Sequence, residues 1–477
     1  MIEVEPAASR RLWQNATVRL AVALAFADAS IVVLALPEIV ARLHTSISHV
    51  TWVIMAYNLA LIVTAAAVIP FARRLASTWA LIAGLAVFGL ASIGCGLANN
   101  MSTLVPLRCI QGIGGGLLLC ASLPMFARTA RPGDSPFTGW SAAAAIGMAV
   151  GPAAGGVLTQ IFAWRSIFLA QAPVAALAVI LVLAVRPGRG DELPAKANRR
   201  PSALDPLTAN AGLTLLSAGL IAALFLVVLV LIDVWQLTPI GAAAVVTTIP
   251  LTTAIAERAV RERSPMWLGA VGAALVAAGL LGLSLVTHRE LGWVIVMLAL
   301  VGTGLGLAFP GLTTAALASA GPAAARAAKT VAARDAGIVL GLLILTPVFV
   351  HQLNKAPNHA LPTAAKAVLT APIPTNVKAS LVPGLLADYK NAPQSQLPDF
   401  GSTFARASAH ATPAERVALN DLHARLDSIV QRAATSAFKL PLRYGAIFAI
   451  AILPLLSLRL MSKSGRRHGL ERPGIRE

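Results

Sequence analysis

Twelve times along the chain, twenty or more residues pass that are almost wholly apolar. The stretches lie at about 17–39, 50–71, 79–98, 102–127, 137–161, 166–186, 211–234, 238–257, 266–287, 291–316, 330–350 and 441–461. About 20 apolar residues carry an α-helix across the hydrocarbon core of a bilayer. Inside lipid, each backbone amide needs a partner from the protein itself, so runs of this length are helices. The expected fold is therefore an all-α integral membrane protein. A chain that is 57% hydrophobic and 12% charged matches no soluble globular class. A formal net charge of +18 would suggest nucleic acid in a soluble protein. Here the basic residues gather in short connections between apolar runs, where they orient a membrane protein. The partner they imply is the bilayer, with no nucleic acid. Cys95, Cys109 and Cys120 lie inside apolar spans without paired spacing or histidine neighbours, so neither a disulfide nor zinc is expected. No metal or cofactor motif appears. The start MIEVEPAASRRLWQNATVRL lacks a cleavable-signal design and reads as the approach to a first membrane helix.

The connections give the topology. One set carries Arg10, Arg11 and Arg19, then Arg73 and Arg74, Arg128 and Arg131, Arg186 to Arg200, Arg258 to Arg263, Arg326 and Lys329, and the tail from Lys463. The alternate short connections offer little beyond Arg42, Arg165 and Arg289. Both termini are therefore expected in the cytoplasm of a multi-pass protein of the plasma or inner membrane. Residues 1–186 read as a first six-helix bundle and 211–461 as a second. Between them, 187–210 is a Pro- and Arg-rich cytoplasmic linker, and 462–477 is a basic cytoplasmic tail. QGIGGGL at 111–117 recurs six spans later as VGTGLGL at 301–307, as a parallel repeat of two pseudo-symmetric halves would require. The second copy has Leu298 where the first has Arg108. Residues 352–440 interrupt the second bundle and are expected outside the cytoplasm. There Thr412, Pro413 and Glu415 form a capping-box pattern, and Leu419, Leu422, Leu426, Ile429 and Val430 recur at helical spacing. The segment reads as a small helical hairpin, with a lid or a docking site for an extracytoplasmic partner as the second reading.

Charges inside apolar spans need explaining, because each costs several kcal/mol unless paired or wet (about 2.5–3.5 on insertion scales). Arg108 lies in the fourth span, beside a strip containing Gln111 and Gly112. That GxGxG pattern follows no strand and precedes no phosphate-binding lysine, so it is not a nucleotide loop. Asp28 lies near the middle of the first span. Counted from the outer ends at about 1.5 Å per residue, Asp28 and Arg108 differ in depth by roughly 7 Å, within reach of a long guanidinium side chain. The pair reads either as a proton-coupling site, with Asp28 taking up and releasing a proton that Arg108 tunes, or as a structural salt bridge. Trp52, Tyr57, Asn58 and Gln111 are candidate cavity-lining groups. Asp233, near the outer end of the seventh span, is either wet at the interface or a negative charge favouring cationic substrates. Gly147, Gly151 and Gly155 recur every four residues and, with Gly156 and Pro152, make a groove that suits a hinge seam between rocking halves. Arg73, Arg74, Arg334 and Asp335 are candidate gating residues, the last two placed at the cytoplasmic start of the eleventh span.

These residues resemble the major facilitator superfamily, and within it the drug:proton antiporter branch. FADASIVVLALPEIV is similar to that branch's first-helix motif, with Asp28 at its acidic position. TWVIMAYNLA resembles the second-helix pattern through Trp52 and Tyr57, and LVPLRCIQGIGGG the fourth-helix motif through Arg108, Gln111 and Gly112. GMAVGPAAGG with the following WRSIFLAQAP resembles the antiporter motif of the fifth helix. WQLTPIGAA and ARDAGIVLGLL follow the branch more loosely. The resemblance implies export of lipophilic, often cationic compounds by alternating access, driven by protons. Related chains usually carry fourteen spans, and this one twelve. The family's loop after the second helix reads like G-x-L-A-D-R-x-G-R-R, whereas this chain has IPFARRLASTW, with Arg73 at the acid's position. In the family that acid helps hold the cytoplasmic gate, so here either another pair, involving Asp134 or Asp335, substitutes, or the chain is a divergent member with altered transport.

The expectation is a proton-coupled exporter, not an enzyme, since no nucleophile–base pair, metal cluster or phosphate loop appears. Two other readings share the same residues. One is a carrier of an envelope lipid or other endogenous amphiphile, favoured by 352–440. The other is a non-transporting membrane scaffold or sensor, favoured by the altered loop.

Overall fold

The computed structural model describes residues 6–74, 78–129, 136–185, 204–259, 265–391, 398–409 and 411–456. Among them, twelve helical stretches are long and apolar enough to cross a membrane, and no strand is present. The first half holds α1 (Leu12–Arg42), α2 (Ile47–Phe71), α3 (Thr78–Leu97), α4 (Met101–Arg128), α5 (Gly139–Phe162) and α6 (Arg165–Val185). The second holds α7 (Pro206–Val234), α8 (Pro239–Arg258), α9 (Met266–Leu283), α10 (Leu291–Leu317) and α11 (Ala323–Thr370). Three shorter helices follow: α12 (Thr375–Asn391), α13 (Gly401–Ala409) and α14 (Pro413–Ser436). The last crossing begins as α15 (Lys439–Ile450). Most of the linker 187–210, Asp134 and the tail 462–477 lie outside the described residues. The final linker residues already belong to α7, whose start is set by Asp205. Its carboxylate accepts from the backbone N–H of Leu207 and Thr208, with Pro206 in the first turn. Thr238 with Pro239 starts α8 in the same way.

The halves repeat one another in packing. In the first, α1 packs on α4, α5 and α6, and α4 on α2 and α3. In the second, α7 packs on α10, α11 and α15, and α10 on α8 and α9. The QGIGGGL/VGTGLGL echo is the physical trace of this repeat. A Cβ at Gly112 would stand 2.3 Å from the Tyr57 carbonyl oxygen of α2, and one at Gly114 would meet the Phe88 amide of α3 at 2.5 Å. Six spans on, a Cβ at Gly302 would meet the Ile249 carbonyl of α8 at 2.3 Å, and one at Gly304 the Gly272 carbonyl of α9 at 2.4 Å. In both copies, glycines two residues apart bring the central helix onto two neighbours at backbone distance. Between the halves, α2 packs on α11 and α5 on α8, themselves related by the repeat.

The eleventh crossing departs from expectation. Instead of ending near 350, α11 runs unbroken for 48 residues. At about 1.5 Å per residue that is roughly 72 Å, more than twice a bilayer's hydrocarbon thickness of about 30 Å. The polar change after Val350 marks a change of solvent, while the helix itself continues. Its far end joins α12, α13 and α14 in a small unit with its own core, where Val368, Leu381, Phe400, Phe404, Leu419, Leu422 and Leu426 are buried together. The capping box at Thr412 and Glu415 is formed. Four helices on one core replace the expected hairpin.

Because this core is separate from the bundle, Leu422→Ala should loosen this four-helix unit alone. Truncating a buried leucine costs about 2–5 kcal/mol. Limited proteolysis is expected to cut faster within 375–436 while the membrane bundle stays intact; unchanged cutting would mean the unit is not held by this core.

Candidate functional site

Two features sit inside the bundle. The first is a polar cluster in the first half. The glycines of α4 draw it against α2 so closely that the Tyr57 hydroxyl would stand 2.5 Å from a Cβ at Gly115. This places the Tyr57 ring 4.5 Å from the Arg108 guanidinium, with Phe168 of α6 at 5.5 Å. Arg108 Nη1 donates to Asp28 Oδ1 at 2.8 Å and to Gln111 Oε1 at 2.6 Å, while its Nε donates to the Val53 carbonyl at 2.8 Å. Gln111 Nε2 reaches Asp28 Oδ1 at 3.2 Å, Ser92 Oγ at 2.8 Å and Gln171 Oε1 at 3.0 Å. Asp28 is 0% and Arg108 1% exposed, so the pair is wholly withdrawn from solvent. Within this cluster Asp28 Oδ2 has no hydrogen-bond partner among the described residues. One oxygen carries the whole ion pair.

The second feature is a cavity of about 610 Å³ between the halves. Its walls come from α1, α5, α7, α8, α9, α10 and α11, and they are mainly apolar, with Ile146, Leu224, Leu305 and Phe309 among them. Among the described residues, three charged side chains line it: Glu257, Arg258 and Arg334. Ala29 and Ser30, the residues after Asp28, also belong to the wall. Toward the end that bears the four-helix unit, the halves close on one another. There the Ile240 amide donates to Gln160 Oε1 at 3.0 Å, and a Cβ at Gly156 would meet Ala243 at 2.3 Å.

The structure brings Asp28, Arg108 and Gln111 together and places the other candidates differently. Tyr57, Asn58 and Gln111 are buried in the helix packing and do not line the cavity; Asn58 Nδ2 donates to the Ile54 carbonyl at 2.8 Å. Trp52 is 44% exposed, and Asp233 likewise stands outside the cavity lining. Helical spacing shows which residues share a face, but not which neighbour that face meets. The glycine groove illustrates this. A Cβ at Gly147 would meet the Ala23 carbonyl at 2.2 Å, one at Gly151 the Ser30 hydroxyl at 1.9 Å, and one at Gly155 the Ile31 carbonyl at 2.7 Å. All three seat α1 within the same half; of the groove, Gly156 reaches the other half, and Pro152 faces the cavity. Arg334 and Asp335 lie roughly 16 Å along α11 from Ala323 and not at its start. The difference arises because α11 begins in the alanine-rich run AAARAAKTVAA, before the apolar window. Arg73 and Arg74 are exposed in the turn after Phe71, beside Ala72, which is buried against Ala324 and Ala325. Sequence reasoning passed over Ser92, Gln171 and Glu257. The first two are lone polar groups in apolar spans, a signal that was available; Glu257 was hidden by the adjacent basic loop.

A cavity between two related six-helix halves, each built around a glycine-packed fourth helix, defines a multi-pass, all-helical membrane protein with a central site. The chain belongs to the Major Facilitator Superfamily, whose family model matches residues 19–345. It is 37% identical over 160 residues to a methylenomycin A resistance protein of Bacillus subtilis, covering 33% of this chain and 34% of that one. It is 29% identical over 195 residues to a tetracenomycin C resistance and export protein of Streptomyces glaucescens, covering 40% and 34%. The matched stretches thus span about a third of those relatives. In fold, the chain is similar to a bacterial homologue of the human lysosomal transporter Spinster in an inward-facing and occupied conformation. That likeness has a TM-score of 0.63 and 14% identity, over 94% of this chain and 97% of the other.

Removing one partner of a buried ion pair strands the other charge and costs about 3–5 kcal/mol. Arg108→Gln is therefore expected to lower the melting temperature of the detergent-purified protein more than the double variant Asp28→Asn/Arg108→Gln does. Additive losses in a thermal-shift series would show that the two groups are not coupled.

Proposed function

We propose that this chain is a proton-coupled secondary transporter that exports lipophilic small molecules by alternating access, with both termini in the cytoplasm of a cell membrane. The observation that carries this reading is the buried Asp28 carboxylate, ion-paired through one oxygen and joined along α1 to the cavity wall at Ala29 and Ser30. A proton on Asp28 cancels the charge that holds Arg108. The guanidinium then keeps the Val53 carbonyl and Gln111 Oε1 as acceptors, and the contact between α1 and α4 weakens. Because Gly147, Gly151 and Gly155 seat α1 directly on α5, a shift of α1 passes to the helix that meets α8 of the other half. In this scheme the groove transmits the motion, and Gly156 and Pro152 lie where the halves part.

Beside Arg73 and Arg74, Ala72 packs against Ala324 and Ala325 where α2 meets α11, an apolar contact between the halves. Exchange of lipophilic cargo for protons suits the mainly apolar cavity, whose size falls among ordinary small-molecule sites. The relatives named for resistance to, and export of, antibiotics support the direction of transport. The expected preference for cations came from the resemblance and from Asp233; Asp233 lies away from the cavity lining, so in the cavity other groups set the charge preference. The outer unit built on α11 favours, as a second reading, an endogenous amphiphile handed onward at that end.

The test is purified protein in proteoliposomes with an imposed pH gradient and a panel of neutral and charged lipophiles. Gradient-driven accumulation is expected for the wild type and its loss, to below a tenth of the rate, for Asp28→Asn, with downhill exchange retained. Undiminished gradient-driven flux in Asp28→Asn would remove Asp28 from proton coupling, and absence of any flux in the wild type would favour a scaffold.

A further inference from the structure

The cavity contains a cation that no ion pair among the described residues neutralises, its electrostatic attraction within the helix coming from the adjacent buried Asp335. Arg334 lines it from α11, and its guanidinium carbon stands 4.2 Å over the Phe26 ring. Its Nη2 has a thioether acceptor, Met148 Sδ at 3.6 Å, and its Nε is buried with no hydrogen-bond partner. Neither Glu257 nor the adjacent Asp335 forms an ion pair with it among the described residues. Asp335 is 3% exposed and absent from the lining, as expected when successive helical residues point about 100° apart. The ring and the thioether are weak compensation for a guanidinium in an apolar setting. An arginine in such a place normally binds a carboxylate or a phosphate, to which its planar donors are fitted. Arg108 shows the contrast: it lies a few helices away with a carboxylate, an amide oxygen and a carbonyl all accepting from it. Among the described residues of the lining, Glu257 is the one carboxylate against two cations, Arg334 and Arg258, the latter following it in the chain.

We infer that Arg334 is a charge-selecting residue of the substrate cavity and that the site prefers lipophilic anions over lipophilic cations. The acidic group of the cargo pairs with Arg334 beside Phe26, and its apolar body lies along Ile146, Leu224, Leu305 and Phe309. This deepens the proposed function and rests on the cavity being the substrate site.

Tetraphenylborate and tetraphenylphosphonium are near-identical in shape and opposite in charge, so they isolate the effect. Their binding to the purified full-length protein is measured at equilibrium without a pH gradient, beside a neutral lipophile. The wild type is expected to bind the anion at least 10-fold more tightly than the cation. Arg334→Gln should bring that ratio to about one while leaving the neutral compound's affinity within twofold. Arg334→Lys, which keeps the charge, should retain a preference for the anion. Tighter binding of the cation by the wild type overturns the inference, as does a ratio that Arg334→Gln leaves unchanged. If the neutral compound binds while the ratio fails, the assignment of Arg334 falls and the cavity stands as the substrate site. If none of the three binds, the cavity reading and this inference fall together. Should Arg334→Gln not fold, the wild-type ratio and the Arg334→Lys variant still decide.

Discussion

A carboxylate and a guanidinium held 2.8 Å apart inside an apolar bundle set the terms for the rest of the first half. Either charge alone would be too costly to bury, so both helices that carry them must be fixed in depth and rotation relative to one another. The structure meets that demand with backbone-distance contacts. Gly112 and Gly115 bring α4 onto Tyr57, and Gly147 to Gly155 bring α1 onto α5. Ser92 and Gln171 complete the shell from α3 and α6 through Gln111. Every other helix of that half except α5 thus contributes a polar or aromatic group to one pair of charges.

The second half repeats the frame without that chemistry. Leu298, at the position equivalent to Arg108, is fully buried among apolar neighbours, and the glycines of α10 make the same approaches as those of α4. Its charged contribution to the interior comes from elsewhere, from Glu257 and Arg334 facing the cavity. Two copies of one scaffold differ in where they hold charge: the first buries an ion pair, and the second sets Glu257 and Arg334 in the cavity wall with Asp335 buried next to Arg334.

Much of this was legible in the chain. Hydrocarbon thickness dictates run length, so the twelve crossings could be counted, and lone charges in those runs drew attention to Asp28 and Arg108. Depth counting could bring that pair within reach because both residues sit on regular helices. Rotation was not legible. Tyr57, Asn58 and Gln111 were assigned to the cavity because polar groups in apolar spans usually face one, yet here they face other helices. The glycine groove was visible by spacing, but spacing does not name the partner, which proved to be α1. The extent of α11 was hidden because hydropathy reports the solvent around a helix and not where its hydrogen bonds stop.

That unbroken helix makes a mechanical lever. Ile338 of α11 lies in the cavity wall, and Val368 of the same rod is in the core of the four-helix unit. No turn between them can absorb rotation, so the two places are geared together across roughly 45 Å. A tilt of about 10° at the cavity would sweep the far end sideways by roughly 8 Å, on that same rise per residue. Movements too small to see at the cavity would be written large at the far end of the rod, where the helical unit could report what the cavity is doing.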